Sequence, residues 1–320
     1  MDKPLSILEI FGLSPLGTRL RETLFMLRGD PHTPPSRFGV SSLKILKPGL
    51  SLRTYLRLRR ADRRVVLYNL FNHTPTPVEE GWSVRVTQVR DFRGGRNTYD
   101  SHNGTDLAVP LGTVVVAAAP GVVLRVASEF HRGGLKVFID HGHGIVTTSN
   151  HLGRSLVSAG QRVRRGEPVA LSGSSGVDCV AAFPWTAPHV HYNVWLDGHP
   201  VDPFSGGEEP SLWRRHNDPV PFDPADDDCD DDSDDFEPTG WDLDAMASTI
   251  AGCQDPDLRI ALVNQPDPAQ RAMDLLFYLN YFPTRFADPR RPYARSHDRR
   301  PLLDLPFRAE DYDGVVFLYD

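Results

Sequence analysis

Between residues 82 and 204, short runs rich in β-branched residues recur between glycines: WSVRVTQV, GTVVVAAA, GVVLRVAS, LKVFID, GIVTTS, EPVALSG and HVHYNVWL. Runs this short, about 8 to 14 residues apart and punctuated by turn formers, predict antiparallel strands. Long helical patterns do not alternate with them, which disfavours a parallel α/β sheet.

The flanks read differently. Residues 1–80 form an N-terminal region whose best strand signal is LRTYLRLRR followed by RRVVLYNLF around Ala61 and Asp62, a predicted hairpin. Residues 205–240 are rich in Pro and Asp, and the run Asp223 to Glu237 holds ten acidic residues and no basic one. Like charges at that density repel and bury no core, so a solvated linker is expected. The run lacks the glycine of an EF-hand loop, which argues against a calcium loop. It also dominates the formal charge: the chain carries −7, and without the run the remainder carries +3. In residues 241–320, Asp242 is placed to cap a helix through MASTIAG, and Ala269 to Phe282 spaces its apolar residues helically after Pro268. The terminal VVFLY reads as a strand. The predicted architecture is mainly β: a compact antiparallel β-sheet domain at 81–204, an N-terminal β-containing region at 1–80, a linker at 205–240 and a small α-rich region at 241–320.

Several classes drop out. Cys179, Cys229 and Cys253 are too few and odd in number for a disulfide framework, and free thiols are expected. No run of 18 apolar residues predicts a membrane span. The charge balance, 35 basic against 42 acidic residues, points away from a nucleic-acid partner. The N-terminus MDKPLSILEIFGLSPLGTRL does not read as a secretion signal, because Asp2 and Glu9 interrupt it. An oligomeric state is not legible.

Chemistry concentrates in the β-rich part. His-x-His occurs twice, as His141-Gly142-His143 and His189-Val190-His191. HVHYNVW has strand composition, so His189 and His191 project from one face. One could bind a metal while the other acts on a bound water. His141 and His143 sit in a glycine-loosened turn, a poor place for ligands, which favour rigid elements. His102 and Asp106 flank Asn103-Gly104-Thr105. Two histidines and a carboxylate form a three-ligand zinc set that keeps the fourth position for water, as catalytic zinc requires and structural zinc does not.

The order of motifs resembles one family. HNGTDLAVPLGTVVVAAAPGVVLRV, IDHGHG, the Asn150-His151-Leu152 step, AGQRVRRGEPVALSGSSG, PHVHY and DGHPVDPF follow one another from Ser101 to Phe204. This succession is similar to that of the M23 metallopeptidases, the lysostaphin-like or LytM-like peptidoglycan endopeptidases. The resemblance implies Zn2+ held by His102, Asp106 and His191, with His151 and His189 as non-ligating catalytic histidines and Tyr99 as a candidate helper. It implies hydrolysis of amide bonds in peptidoglycan peptides, stem or cross-bridge. That substrate implies the periplasm, the cell wall or export by a dedicated secretion system, and the sequence does not choose among them. The alternative is a non-catalytic relative that regulates wall hydrolases or binds the wall. Two departures stand out: VDCVAAFPWTA is inserted before the PHVHY strand, and Ser149 stands where the family commonly has an aromatic residue. The insertion's Trp185 is expected either to cap the core or to line the substrate groove.

Overall fold

The computed structural model describes residues 3–58, 60–225 and 236–319. The centre of the acidic run lies outside the described residues, and with it Cys229 and most of the expected linker.

Eleven strands join in one sheet: β1 (Arg64–Leu67), β2 (Thr105–Ala108), β3 (Val114–Val116), β4 (Gly121–Glu129), β5 (Gly134–Asp140), β6 (Ile145–Ser155), β7 (Arg162–Val163), β8 (Pro168–Ser172), β9 (His189–Leu196), β10 (His199–Val201) and β11 (Gly314–Phe317). The main order is β11-β1-β2-β9-β6-β5-β4-β7, with β10 on β9 and β3 joined through β8 to β6. Only β1 and β11 pair in parallel among the described strands; the others are antiparallel, as the short glycine-bounded runs predict.

Alternation along the strands buries both faces of this sheet. Val123, Val137, Ile145 and Val194 enter one core, with Trp213 and Phe307 from later in the chain. Their immediate neighbours Leu124, Phe138, Val146 and Trp195 enter a second core beneath Met273, Leu276 and Phe277. Those three residues lie on α7 (Pro268–Tyr281), which starts as the sequence suggests: Pro268 occupies the first turn and the Asp267 carboxylate caps Ala269 N–H at 2.8 Å. Ahead of it run α5 (Leu243–Ala251), capped by Asp242 as expected, and α6 (Pro256–Asn264).

The structure qualifies the sequence expectation in one place and departs from it in two. The large β-sheet is present, but over the chain helix contributes about as much as strand, about 25% against about 24%. Much of the excess helix is N-terminal: α1 (Ile7–Phe11), α2 (Leu16–Arg28) and α3 (Pro48–Tyr55). The predicted hairpin does not form. LRTY of its first arm ends α3, which Pro48 starts and Ser51 anchors by donating to Pro184 O at 2.5 Å. The leucines that gave a strand-like alternation, Leu52, Leu56 and Leu58, are exposed. β1, the second arm, finds its partners 40 and 250 residues away, roughly, in β2 and β11. Finally, the stretch after Phe204 is not solvated throughout: residues 206–210 are exposed, but the chain then turns inward. Leu212 and Trp213 are fully buried, and Trp213 stacks on Tyr192 at 5.8 Å.

Candidate metal centre

β2 and β9 lie side by side in a register that sets Asp106 opposite His191 and Ala108 opposite His189. Residues directly opposite on antiparallel strands hold their Cβ atoms about 4.5–5.5 Å apart, within mutual reach of two polar side chains. His102 arrives from the turn before β2. That turn needs a glycine: a Cβ on Gly104 would stand 2.8 Å from His191 Nε2 and 2.6 Å from Tyr192 O.

Three atoms converge. His102 Nε2 is 3.1 Å from Asp106 Oδ1 and 3.0 Å from His191 Nδ1, and His191 Nδ1 is 2.7 Å from Asp106 Oδ1. His102 Nδ1 lies 2.7 Å from the carbonyl oxygen of Leu70, so Nδ1 carries the proton and donates. In the neutral ring Nε2 then presents a lone pair toward a carboxylate oxygen. Two acceptors face each other at hydrogen-bond distance, an arrangement that calls for a cation between them. Donors sharing a tetrahedral zinc at about 2.0–2.2 Å are roughly 3.3–3.6 Å apart, so the cluster opens by less than about an ångström to fit one.

The surroundings tune the set for metal binding. Burial works against an ionised Asp106, but the neighbouring imidazoles of His102, His189 and His191 outweigh it and hold the carboxyl well below the usual range. Burial pushes His191 down to about 4, against the pull of Asp106, which keeps the ring neutral and its lone pairs available. Asn69 donates to the second oxygen of Asp106 at 2.8 Å and so orients it.

His151 and His189 stand beside this set with ring centres 4.6 Å apart. Each is tied by Nδ1 to a backbone carbonyl at 2.7 Å, His151 to Ser175 O and His189 to Ala187 O. Each therefore presents Nε2 to the cleft, the same device that orients His102. His189 Nε2 lies 3.6 Å from Asp106 Oδ1. His151 reaches the cleft by a break in β6. Asn150 pairs with His191, and strict alternation would send the next side chain to the far face. A left-handed φ of 58° at His151 interrupts the alternation, a conformation that costs a non-glycine residue about 1–3 kcal/mol.

The structure thus brings all five sequence-predicted residues to one cleft. Tyr99 is there too, its ring 4.4 Å from that of His102. His141 is elsewhere, buried between Pro120 O and Thr147 Oγ1, and His143 bonds Arg300. Neither reading of Trp185 holds: it is 54% exposed, so it caps no core, and it does not line the cleft. Ala182 and Thr186 of the insertion do line it, as does buried Cys179, opposite Met26, Phe38 and Trp82 from the N-terminal half. Sequence reasoning missed Asn69, the Leu70 carbonyl and Cys179. The first two follow a strand whose partner strands are distant in sequence, and backbone carbonyls leave no trace in residue type. Cys179 was visible only as one of three thiols.

A buried carboxylate and an imidazole on adjacent strands, a second imidazole from the turn before them and two more imidazoles beside them form a donor set that could hold a metal ion. The model of peptidase family M23 matches residues 100–203. The chain is 40% identical to peptidoglycan DD-endopeptidase ShyA of Vibrio cholerae over 176 residues, 51% of this chain and 36% of that one. An uncharacterized metalloprotease of Haemophilus influenzae is 40% identical over 104 residues, 32% of this chain and 20% of the relative. A solved zinc-containing peptidase from Vibrio cholerae is similar at 30% identity with a TM-score of 0.32, over 45% of this chain and 40% of that chain. The chain thus spans between a fifth and about a third of the length of these curated relatives.

Proposed function

We propose that this protein is a zinc metalloendopeptidase that hydrolyses amide bonds in the peptides of peptidoglycan, with His102, Asp106 and His191 as ligands and His151 and His189 as the proton-transfer pair. The observation that carries this reading is the convergence of three donor atoms with lone pairs facing one point, beside two imidazoles that each present Nε2. Zinc at that point would supply Lewis-acid activation of water and of the scissile carbonyl. The chain's own residues do the rest. An Nε2 of the His151–His189 pair accepts the proton of the attacking water. Once protonated, it donates to the amine nitrogen as the carbon–nitrogen bond breaks. The partner ring, when it carries a proton on Nε2, donates to the oxyanion that develops on the carbonyl oxygen. The names of relatives such as the DD-endopeptidase of Vibrio cholerae support the substrate class, and a protein with that substrate would act in the periplasm or cell wall.

Purified protein with one zinc per chain should release new amine and carboxyl ends from isolated peptidoglycan, read by mass spectrometry of the digest. Intact muropeptide cross-links and stem peptides after incubation with the zinc-loaded protein would reject the reading.

A further inference from the structure

The insertion before β9 places a second set of donors in the cleft. It begins as α4 (Val177–Ala181), and this helix delivers Cys179, only 2% exposed, to the rings of His151 and His189. Cys179 Sγ is 3.4 Å from His151 Nδ1. One ligating atom from each of His151, Cys179 and His189 lies within 4.8 Å of the other two. The preceding residue adds a carboxylate at the mouth: Asp178 Oδ2 is 3.6 Å from His151 Nε2 and half exposed. Cys179 is a free thiol. Thiol, two imidazoles and a carboxylate are a donor set that suits zinc, with sulfur at about 2.3 Å and nitrogen at about 2.0–2.1 Å.

We propose that His151, Cys179 and His189, with Asp178 at the mouth, form a second divalent-metal site, and that zinc bound there in excess silences the enzyme. The two clusters fill in order. Atoms of the first are already 2.7–3.1 Å apart and include the Asp106 carboxylate, whereas the second counts a thiol that must give up its proton before it ligates. On binding, the Cys179 thiol passes its proton to solvent and ligates as thiolate. The ion occupies the imidazole lone pairs that proton transfer requires, so hydrolysis stops while the first metal stays in place. Neither Asp178 nor Cys179 belongs to the motifs that the M23 resemblance covers; both come from the insertion. The silencing half of this inference rests on the proposed proton-transfer roles of His151 and His189. The binding half does not.

The two halves are read separately. The metal-free full chain is titrated with Co2+ and followed by absorption. The first equivalent should give ligand-field bands alone, since His102, Asp106 and His191 hold no sulfur. The second should add a near-ultraviolet thiolate-to-cobalt charge-transfer band. Cys179→Ser should keep the first equivalent and lose that band. In the peptidoglycan assay, parent activity should fall as zinc rises beyond one equivalent, and Cys179→Ser should need about 10–100-fold more zinc for half-inhibition. Saturation of the parent by one equivalent, or a charge-transfer band that survives in Cys179→Ser, would overturn the second site. The band is read in the parent, so a variant that failed to fold would not shelter the idea. A band with no loss of activity at the second equivalent overturns the silencing role. A band in a parent that never cleaves peptidoglycan upholds the site and counts against the proposed function instead.

Discussion

The two halves of the cleft are built on different principles. On the metal side, sheet register places the donors: Asp106 and His191 are direct cross-strand partners, and His102 sits one tight turn away. On the proton-transfer side, a break in the sheet does the placing. His151 depends on a left-handed residue inside β6, and it shares its space with Cys179 from an inserted helix. Register fixes a whole strand at once, because a slip of one residue would turn every side chain to the other face. A kink and an insertion fix one residue each. The metal half is therefore rigid by construction, and the other half is where this chain has added chemistry of its own.

The sharpest way to break the comparison is to remove one member from each half. His191→Ala takes away one of the three proposed ligands of the first site. Zinc content measured by atomic absorption should fall well below one per chain, with activity lost. His189→Ala should keep the zinc and lower turnover by about 10²–10⁴-fold, the usual worth of a positioned acid–base group. If both variants lost zinc alike, the cleft would be one cluster and not two halves.

Part of the cleft's layout was legible in the sequence. HVHYNVW reads as a strand, so the shared face of His189 and His191 follows from periodicity, while His102 and Asp106 were pointed to by the M23 resemblance and not by their spacing. What was not legible depends on long-range pairing. RRVVLYNLF looked like half of a hairpin, yet its strand is the bridge between β2 and β11, and that pairing delivers Asn69 and the Leu70 carbonyl to the site. Local pattern also misled at LRTYLRLRR, where alternating leucines signal a strand and the Pro48 start and a buried Ser51–Thr54 face make a helix. The kink at His151 has no residue signature, because nothing but tertiary packing holds a histidine at positive φ.

Asn69 tests whether the N-terminal region belongs to the metal half. It orients the Asp106 oxygen opposite the one that faces the histidines. Asn69→Ala should weaken zinc binding about 10–100-fold, the typical effect of removing an outer hydrogen-bond partner. Competition against a chelator of known affinity would read it, and unchanged affinity would leave the N-terminal region as a wall only.

The smallest effects should come from the solvent side of the insertion, and they separate two aromatic residues that look alike in sequence. Phe183 is 48% exposed but packs edge-to-face on both Phe11 and Tyr55, with ring centres 5.4 Å apart in each case. Those contacts tie the insertion to α1 and α3. Each pair is worth about 0.5–1.5 kcal/mol, so Phe183→Ala should cost roughly 1–2 kcal/mol, read as a lower denaturation midpoint in urea. Trp185 is 54% exposed, and its hydrogen bonds run through the backbone: its N–H donates to Ala182 O at 2.7 Å and its carbonyl accepts from Lys47 N–H at 3.1 Å. Alanine keeps that carbonyl. Trp185→Ala should therefore stay within about 0.5 kcal/mol of the parent and leave the Michaelis constant alone. A rise in that constant with stability unchanged would mean that the peptide extends past the cleft onto the outer face of the insertion. The proton-transfer half would then reach further than the buried residues that define it.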